Sequence, residues 1–496
     1  MFGSFTKLVV VSALALAASI QAQAQGQVYC GGQVTSNGTQ GTFNVQYFND
    51  ITYVTMFGLN TNLNASESYV LYCGDQPPGA AALMVYNIPT SVATFKVPLQ
   101  TVAVGSTYVS SYIELIGRRN AITVLADPKD VVSPCLQQMY ANGSITALND
   151  GDPNQYNALN GSFRENQHTA QKKDIWIPSS NSVDPLLRSE YITAVSLFFN
   201  DGQNGELVYS RIKAAYTTLQ ADMARIPAAN KKRIGWVYYD FSFQTWRLRN
   251  NDFSKGIITA AGGIPFPLSG DVQDDATISA DEIKTLLLNS QFVIDETNFT
   301  GQAAVTTIDL WRNLAGFQSA ADLPVLMNKF VYSLDNTISV SGTSDANYRL
   351  ASRPDLLLRD LISVQYPLYG GSYMPKFLNK GFSYGTGPAY TLNATACGTA
   401  IYNSGDITNA VPQLSFTGDG IAPPALVGSG IYGSATGGSS GGGGGGNKTG
   451  IIVAVVCVAA VLGAGFAFAF FKWGKRAKED RFIELEEEMN NEIPLH

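Results

Sequence analysis

Over residues 206–226, apolar side chains recur every three to four positions: Val208, Ile212, Ala215, Tyr216, Leu219, Met223 and Ile226. That period places them on one stripe of an α-helix and predicts a long helix, ended by Pro227. Residues 185–199 repeat the pattern with Leu186, Leu187, Ile192, Val195, Leu197 and Phe198, and Gly202 breaks it. Short β-like runs fill the N-terminal part at 43–48, 53–57 and 69–72, followed by the turn cluster 73–79. The strand 101–105 stops at Ser106 and Thr107, which can cap a helix over 108–116 closed by Gly117; 121–125 is the next strand. Strand, helix, strand predicts a parallel sheet. Residues 174–178 and 292–296 read as further strands; 281–288, 307–316, 323–330 and 353–362 read as helices.

The stretch 231–263 is the most informative. Lys231, Lys232 and Arg233 lead into the apolar and aromatic run 234–239, which predicts a buried strand. The irregular segment 240–247 follows, with Phe241, Phe243, Trp246 and Arg247. Asp252 then caps a helix carrying Phe253, Ile257, Ile258 and Ala261, closed by Gly262 and Gly263. Ligands of α/β domains collect at the carboxyl ends of strands, which makes 240–247 a candidate site. The alternative is that Phe241 and Phe243 plug the local core.

The ends of the chain set its expected compartment. Residues 1–24 carry one lysine, an apolar run and a small-x-small site at Ala22-Gln23-Ala24, which reads as a secretory signal. Residues 451–471 are uninterruptedly apolar and Lys472, Lys475, Arg476 and Lys478 follow, predicting one transmembrane helix with 472–496 in the cytoplasm. The expectation is a single-pass type I protein of the plasma membrane with its large domain outside. Residues 428–446, rich in Gly and Ser, form a tether of about 25 Å in root-mean-square span. Charged residues are only 14% of the 496 and the net charge is −7, which excludes a nucleic-acid partner. Cys30, Cys73, Cys135 and Cys397 lie outside the membrane and allow three pairings; sequence distance favours Cys30–Cys73 and Cys135–Cys397. Sequons at Asn37, Asn64, Asn142, Asn160, Asn298, Asn393 and Asn447 suit a glycosylated surface.

Several segments carry a family likeness: Val102-Ala103-Val104-Gly105-Ser106-Thr107 with Glu114-Leu115-Ile116-Gly117, Asp184-Pro185-Leu186-Leu187-Arg188-Ser189-Glu190-Tyr191-Ile192, Phe198-Phe199-Asn200, Ala260-Ala261-Gly262-Gly263, and the run 353–362 from Arg353-Pro354-Asp355. In order and spacing they resemble the class III periplasmic substrate-binding proteins, the cobalamin and ferric-siderophore receptors of bacterial ABC transporters. More closely, they are similar to the membrane-anchored algal cobalamin acquisition proteins. Tyr191 departs from the tryptophan of that pattern. The resemblance implies an α/β fold of two Rossmann-like lobes, 25–204 and 227–380, joined by one long helix over 205–226. The first lobe bears a β-rich extension, and an extension with tether (381–446) leads to the membrane. Ligand would lie between the lobes, and a helical connection bends less than a pair of hinge loops.

The facing strand ends would then present Ser106, Thr107, Tyr108 and Ser179 from one lobe, and Tyr239, Phe241, Trp246, Arg247 and Glu296 from the other. For Ser106 and Thr107 the alternative is helix capping. With only His168 and His496, the chain lacks the ligands for a bare transition metal and the base of a Ser-His-Asp triad. Adjacent acids such as Asp295 and Glu296 point to opposite faces of a strand, so a glycosidase pair is disfavoured. No cofactor or catalytic site is expected. What remains is binding of a large flat chelate against aromatic walls, with Arg247 and Arg249 meeting an anionic rim. The reading is a cobalamin receptor; the alternatives are a ferric-siderophore or haem receptor, or a sensor or adhesion ectodomain that has lost its ligand. Without a P-loop, and with one span, uptake needs a separate transporter or an endocytic partner.

Overall fold

The computed structural model describes residues 29–35, 42–58, 66–149, 151–165, 173–178, 184–266, 276–297, 308–317, 324–328, 330–367, 373–380 and 390–397. These fall in one compact unit, Met1–Tyr432; the second unit, Gly433–His496, lies outside them. The expected signal segment, tether, membrane span and cytoplasmic tail, together with Ser179, Asn37, Asn64, Asn298 and Asn447, also lie outside the described residues.

Among the described residues four sheets form, a mixture of parallel and antiparallel pairing. The N-terminal sheet runs β1 (Phe43–Tyr47), β2 (Ile51–Phe57), β3 (Ser66–Tyr72), β4 (Ala93–Lys96), antiparallel until β4 joins β3 in parallel. The second sheet is parallel throughout. It contains β5 (Val102–Val104), β6 (Ile122–Leu125), β7 (Thr146–Ala147), β8 (Gly161–Arg164) and β9 (Asp174–Trp176) in the order β7-β6-β5-β8-β9. The N-terminal sheet shares this lobe's core: Phe43, Val54 and Tyr69 pack in one apolar cluster with Phe163, Tyr191 and Phe198. The expected β-rich extension is thus a structural half of the first lobe.

The third sheet contains β10 (Arg233–Asp240), β11 (Thr245–Leu248), β12 (Ile264–Pro265), β13 (Ala276–Ile278), β14 (Phe292–Asp295) and β15 (Val331–Ser333). Its order is β13-β11-β10-β14-β15, with β12 beside β10. Strands β10, β14 and β15 are mutually parallel, with β15 at one edge, and the antiparallel β11 and β13 extend the other side. A last pair, β16 (Thr337–Ser339) and β17 (Tyr390–Leu392), is parallel.

One helix, Gly202–Met223, connects the lobes. Its stripe is split between them: Val208 and Ile212 belong to the first lobe's core, while Tyr216, Leu219 and Met223 belong to the second's. The helix begins four residues earlier than its apolar period predicts, and Gly202 opens it instead of breaking the previous one. A Cβ on Gly202 would stand 2.8 Å from the Gly32 carbonyl, and one on Gly205 would collide with Ser196, so both glycines admit close backbone approach. The preceding helix, Pro185–Leu197, starts on Asp184, whose Oδ1 accepts from Leu186 N at 2.8 Å.

The lobes meet at a second place. The helix Asp345–Arg349 follows the second lobe's strands, yet Tyr348 and Ala351 are buried in the first lobe's cluster. Ser111 donates to Ser352 Oγ at 2.8 Å across this contact. Both disulfides form, Cys30–Cys73 and Cys135–Cys397. The second ties the end of β17, which pairs with β16, to the helix Pro134–Ala141 of the first lobe.

The sequence reading needs correction at 240–247. This segment is no irregular loop but the turn and second arm of a hairpin. Asp240 Oδ1 accepts from Ser242 N (3.0 Å) and Phe243 N (3.3 Å), Gln244 takes a left-handed φ of 51°, and Tyr239 pairs with Trp246. The helix expected over 323–330 is only Pro324–Met327, and the helices Pro134–Ala141 and Pro153–Ala158 come without a clear apolar period.

Candidate functional site

The carboxyl ends of the two central sheets face one another around a cavity of about 870 Å³. From the first lobe, Tyr108 follows β5, Asp130 follows β6 and Glu165 follows β8; Arg188 comes from the helix Pro185–Leu197. From the second, Trp236 lies on β10, Asp295, Glu296 and Thr297 end β14, and Ser333, Leu334 and Asp335 end β15. Parallel strands direct their carboxyl ends to one edge, so each sheet contributes one wall.

The side chains are held before any ligand arrives. Glu296 accepts from Trp236 Nε1 at 2.9 Å and from Arg249 Nε at 2.7 Å, and the Arg249 guanidinium sits over the Tyr238 ring at 4.5 Å. Trp236 meets Phe253 edge to face, with centroids 6.5 Å apart. Phe253 is carried by the helix Asp252–Ala260, whose N-cap is Asn251 rather than the expected Asp252: Asn251 Oδ1 accepts from Ser254 N at 2.8 Å. On the opposite wall, Tyr108 donates to the Ile177 carbonyl at 2.8 Å, and burial raises its phenol well above its ordinary value. Asp295 is 1% exposed and accepts from Thr297 Oγ1 at 2.6 Å; burial pushes its carboxyl up to about 7. Asp335 accepts from Ser333 Oγ and from Asn379 Nδ2 at 2.9 Å.

The structure brings together three of the residues expected from the sequence, Tyr108, Arg249 and Glu296, as cavity lining. Ser106 stands at the N-cap of the helix Thr107–Leu115 but makes no capping bond; its hydroxyl donates to Glu165 Oε2 at 3.2 Å, behind the lining. Thr107 is the first residue of that helix, half-buried. The hairpin carries Tyr239, Phe241, Trp246 and Arg247 away from the cleft. Trp246 is 4% exposed, meets Trp311 at 5.5 Å and donates to the Leu314 carbonyl at 3.1 Å, so it is a core residue. Arg247 pairs with Asp240 at 3.2 Å and lies over Phe243; Phe241 meets Tyr239 edge to face, and the Tyr239 amide donates to Thr297 Oγ1.

Sequence reasoning missed Arg188, the role of Trp236, and the lining from 341 to 351. Ser341-Gly342-Thr343-Ser344 before Asp345 was the available signal: a turn ending in an N-cap, with Ser344 Oγ accepting from Ala346 N at 3.1 Å. Among the described residues no group of three His, Cys, Asp or Glu is arranged to hold a metal ion, and no helix is long and apolar enough to cross a membrane.

No family model matches the sequence, and no curated protein matches it. Among solved structures, the chain is similar to a periplasmic binding protein from Veillonella parvula, with 15% identity over 57% of this chain and 88% of that one and a TM-score of 0.41. It is also similar to the periplasmic vitamin B12-binding protein of Vibrio cholerae, with 10% identity, coverage of 54% and 97% and a TM-score of 0.37. For the periplasmic haem-binding protein of Vibrio cholerae the values are 14%, 54% and 99%, and 0.40.

Proposed function

We propose that the chain is a cell-surface binding receptor that captures a large metal-chelate nutrient, cobalamin, between its lobes and does not transform it. The observation that carries this reading is the interlobe cavity itself. Both sheets aim their carboxyl ends at it, its volume of about 870 Å³ is at the upper end for small-molecule sites, and its polar groups are pre-positioned by bonds such as Trp236–Glu296–Arg249. Trp236 and Phe253, nearly fully buried in the second lobe's core, reach the edge of the cavity and give its wall an apolar backing.

The charge of the cleft favours cobalamin over its rivals. Asp130, Glu165, Glu296 and Asp335 line it as carboxylates against Arg188 and Arg249, beside the buried Asp295, whose acid form burial favours. Like charges at close quarters cost several kcal/mol, roughly, and a polyanionic ferric catecholate would meet that opposition. A corrinoid presents neutral primary amides, whose N–H groups suit carboxylate and hydroxyl acceptors. In this reading residues 1–24 direct export, 451–471 hold the receptor in the plasma membrane, and a separate transporter or endocytic partner completes uptake. Titration of the purified full-length protein with cyanocobalamin, haem and a ferric catecholate tests it. Saturable binding of cyanocobalamin alone is expected; no response to cyanocobalamin overturns the proposal, and preference for haem or the catecholate transfers the site to that ligand class.

A further inference from the structure

Resting on that receptor reading, we infer that the Arg188 guanidinium anchors a single anionic group of the captured ligand, in a cleft that otherwise seeks hydrogen-bond donors. Arg188 sits in the second turn of the helix Pro185–Leu197, on the cavity wall. Its carbonyl accepts from Tyr112 Oη at 2.9 Å, which fixes the backbone beneath the side chain. The guanidinium lies over the face of Phe253 at 5.2 Å, an aromatic contact that spans the two lobes. The cation–π contact holds the guanidinium beside the ring without using its N–H donors in hydrogen bonds.

The other cleft arginine is neutralised: Arg249 reaches Glu296 at 2.7 Å. Arg188 differs. Among the described residues no carboxylate lies within ion-pairing distance of it, and its side chain donates no hydrogen bond. A half-buried cation with no counter-charge is costly to hold, and that cost is recovered when an anion arrives. With the carboxylates of Asp130, Glu165, Glu296 and Asp335 around the rest of the cavity, a negative group is favoured beside Arg188 and N–H or O–H donors elsewhere. The ligand class is therefore a monoanion-bearing molecule with a donor-rich rim: a phosphodiester or one carboxylate attached to an amide-edged body.

Cyanocobalamin and cobinamide separate this inference from the receptor reading, because both carry the amide-edged corrin and only the first carries the phosphodiester-linked nucleotide. Binding of each is measured by calorimetry on the full-length protein, as wild type, Arg188→Gln and Arg188→Lys, with thermal unfolding of each variant as the check on folding. The expected result is an about 10- to 100-fold loss of cyanocobalamin affinity in Arg188→Gln, partly restored in Arg188→Lys, with cobinamide affinity nearly unchanged. If Arg188→Gln weakens both ligands equally, or neither, the anchor is wrong and the receptor stands. If the wild type binds neither, the receptor reading falls and takes the anchor with it.

Discussion

Tyr348, carried by the second lobe's chain, donates its hydroxyl proton to Glu114 Oε2 inside the first lobe. Glu114 is 3% exposed and also accepts from Ser133 Oγ at 2.8 Å and from Arg119 Nε. Removing one donor from a buried carboxylate costs about 1–3 kcal/mol. Tyr348→Phe should therefore lower the urea midpoint by that equivalent and speed hydrogen exchange in the helix Asp345–Arg349 relative to the rest of the second lobe. An unchanged midpoint would show that the lobe contact does not depend on this bond.

Trp246 and Trp236 should part company on mutation. Trp246→Ala opens a cavity beside Trp311 and is expected to cost about 3–5 kcal/mol of stability, with ligand affinity intact in the molecules that remain folded. Trp236→Phe keeps an aromatic ring but removes part of a buried indole and the donor to Glu296, so affinity should fall in addition to stability. Denaturant melts and ligand titration on the same samples make the comparison; affinity lost without stability in Trp246→Ala would return that residue to the site.

The buried acids give the stability a definite pH slope. Asp295, raised by burial from 3.8 to about 7, holds its proton in the folded chain where the unfolded chain has already lost it. Its contribution is fully present below the unfolded value and is lost as pH rises through about 7, by about 1.4 kcal/mol for each pH unit in that window. Asp360, raised by burial to about 6, acts in the same direction over a narrower range. In Asp295→Asn, unfolding free energy measured against pH should flatten between about 6 and 7; a slope identical to wild type there would mean that Asp295 ionises normally.

The two disulfides close very different loops. Cys135–Cys397 spans 262 residues and Cys30–Cys73 spans 43. Cys135→Ser with Cys397→Ser should cost about 2–5 kcal/mol, and loop-closure entropy makes it the larger of the two losses. It should also raise hydrogen exchange in β17, which that bond holds beside the first lobe. Paired melts of both double variants decide the order.

The parts of this fold legible in the sequence are those in which a single period runs uninterrupted. The connecting helix announced itself because both lobes bury the same stripe, so its period never changes where its surroundings do. The hairpin at 240–247 escaped because its turn, Phe241-Ser242-Phe243-Gln244, holds none of the Gly or Asn residues that mark such turns, and Gln244 supplies the left-handed position instead. That error displaced the site: the strand-end rule was applied to β10, whose far half belongs to the hairpin, when β14 and β15 carry the ends that face the cavity. Arg188 was hidden inside an amphipathic helix, where its position on the wall depends on how two helices pack and not on its own neighbours in sequence.

The covalent tie at Cys397 bears on mechanical load. The chain leaves the described region from a residue that is bonded to the first lobe through Cys135 and flanked by a strand hydrogen-bonded to the second. Were residues 428–446 the tether expected from the sequence, tension along it would be shared by both halves at that junction. In the receptor proposed here, a pull on that tether would drag the two halves as one piece and leave the cavity between them closed.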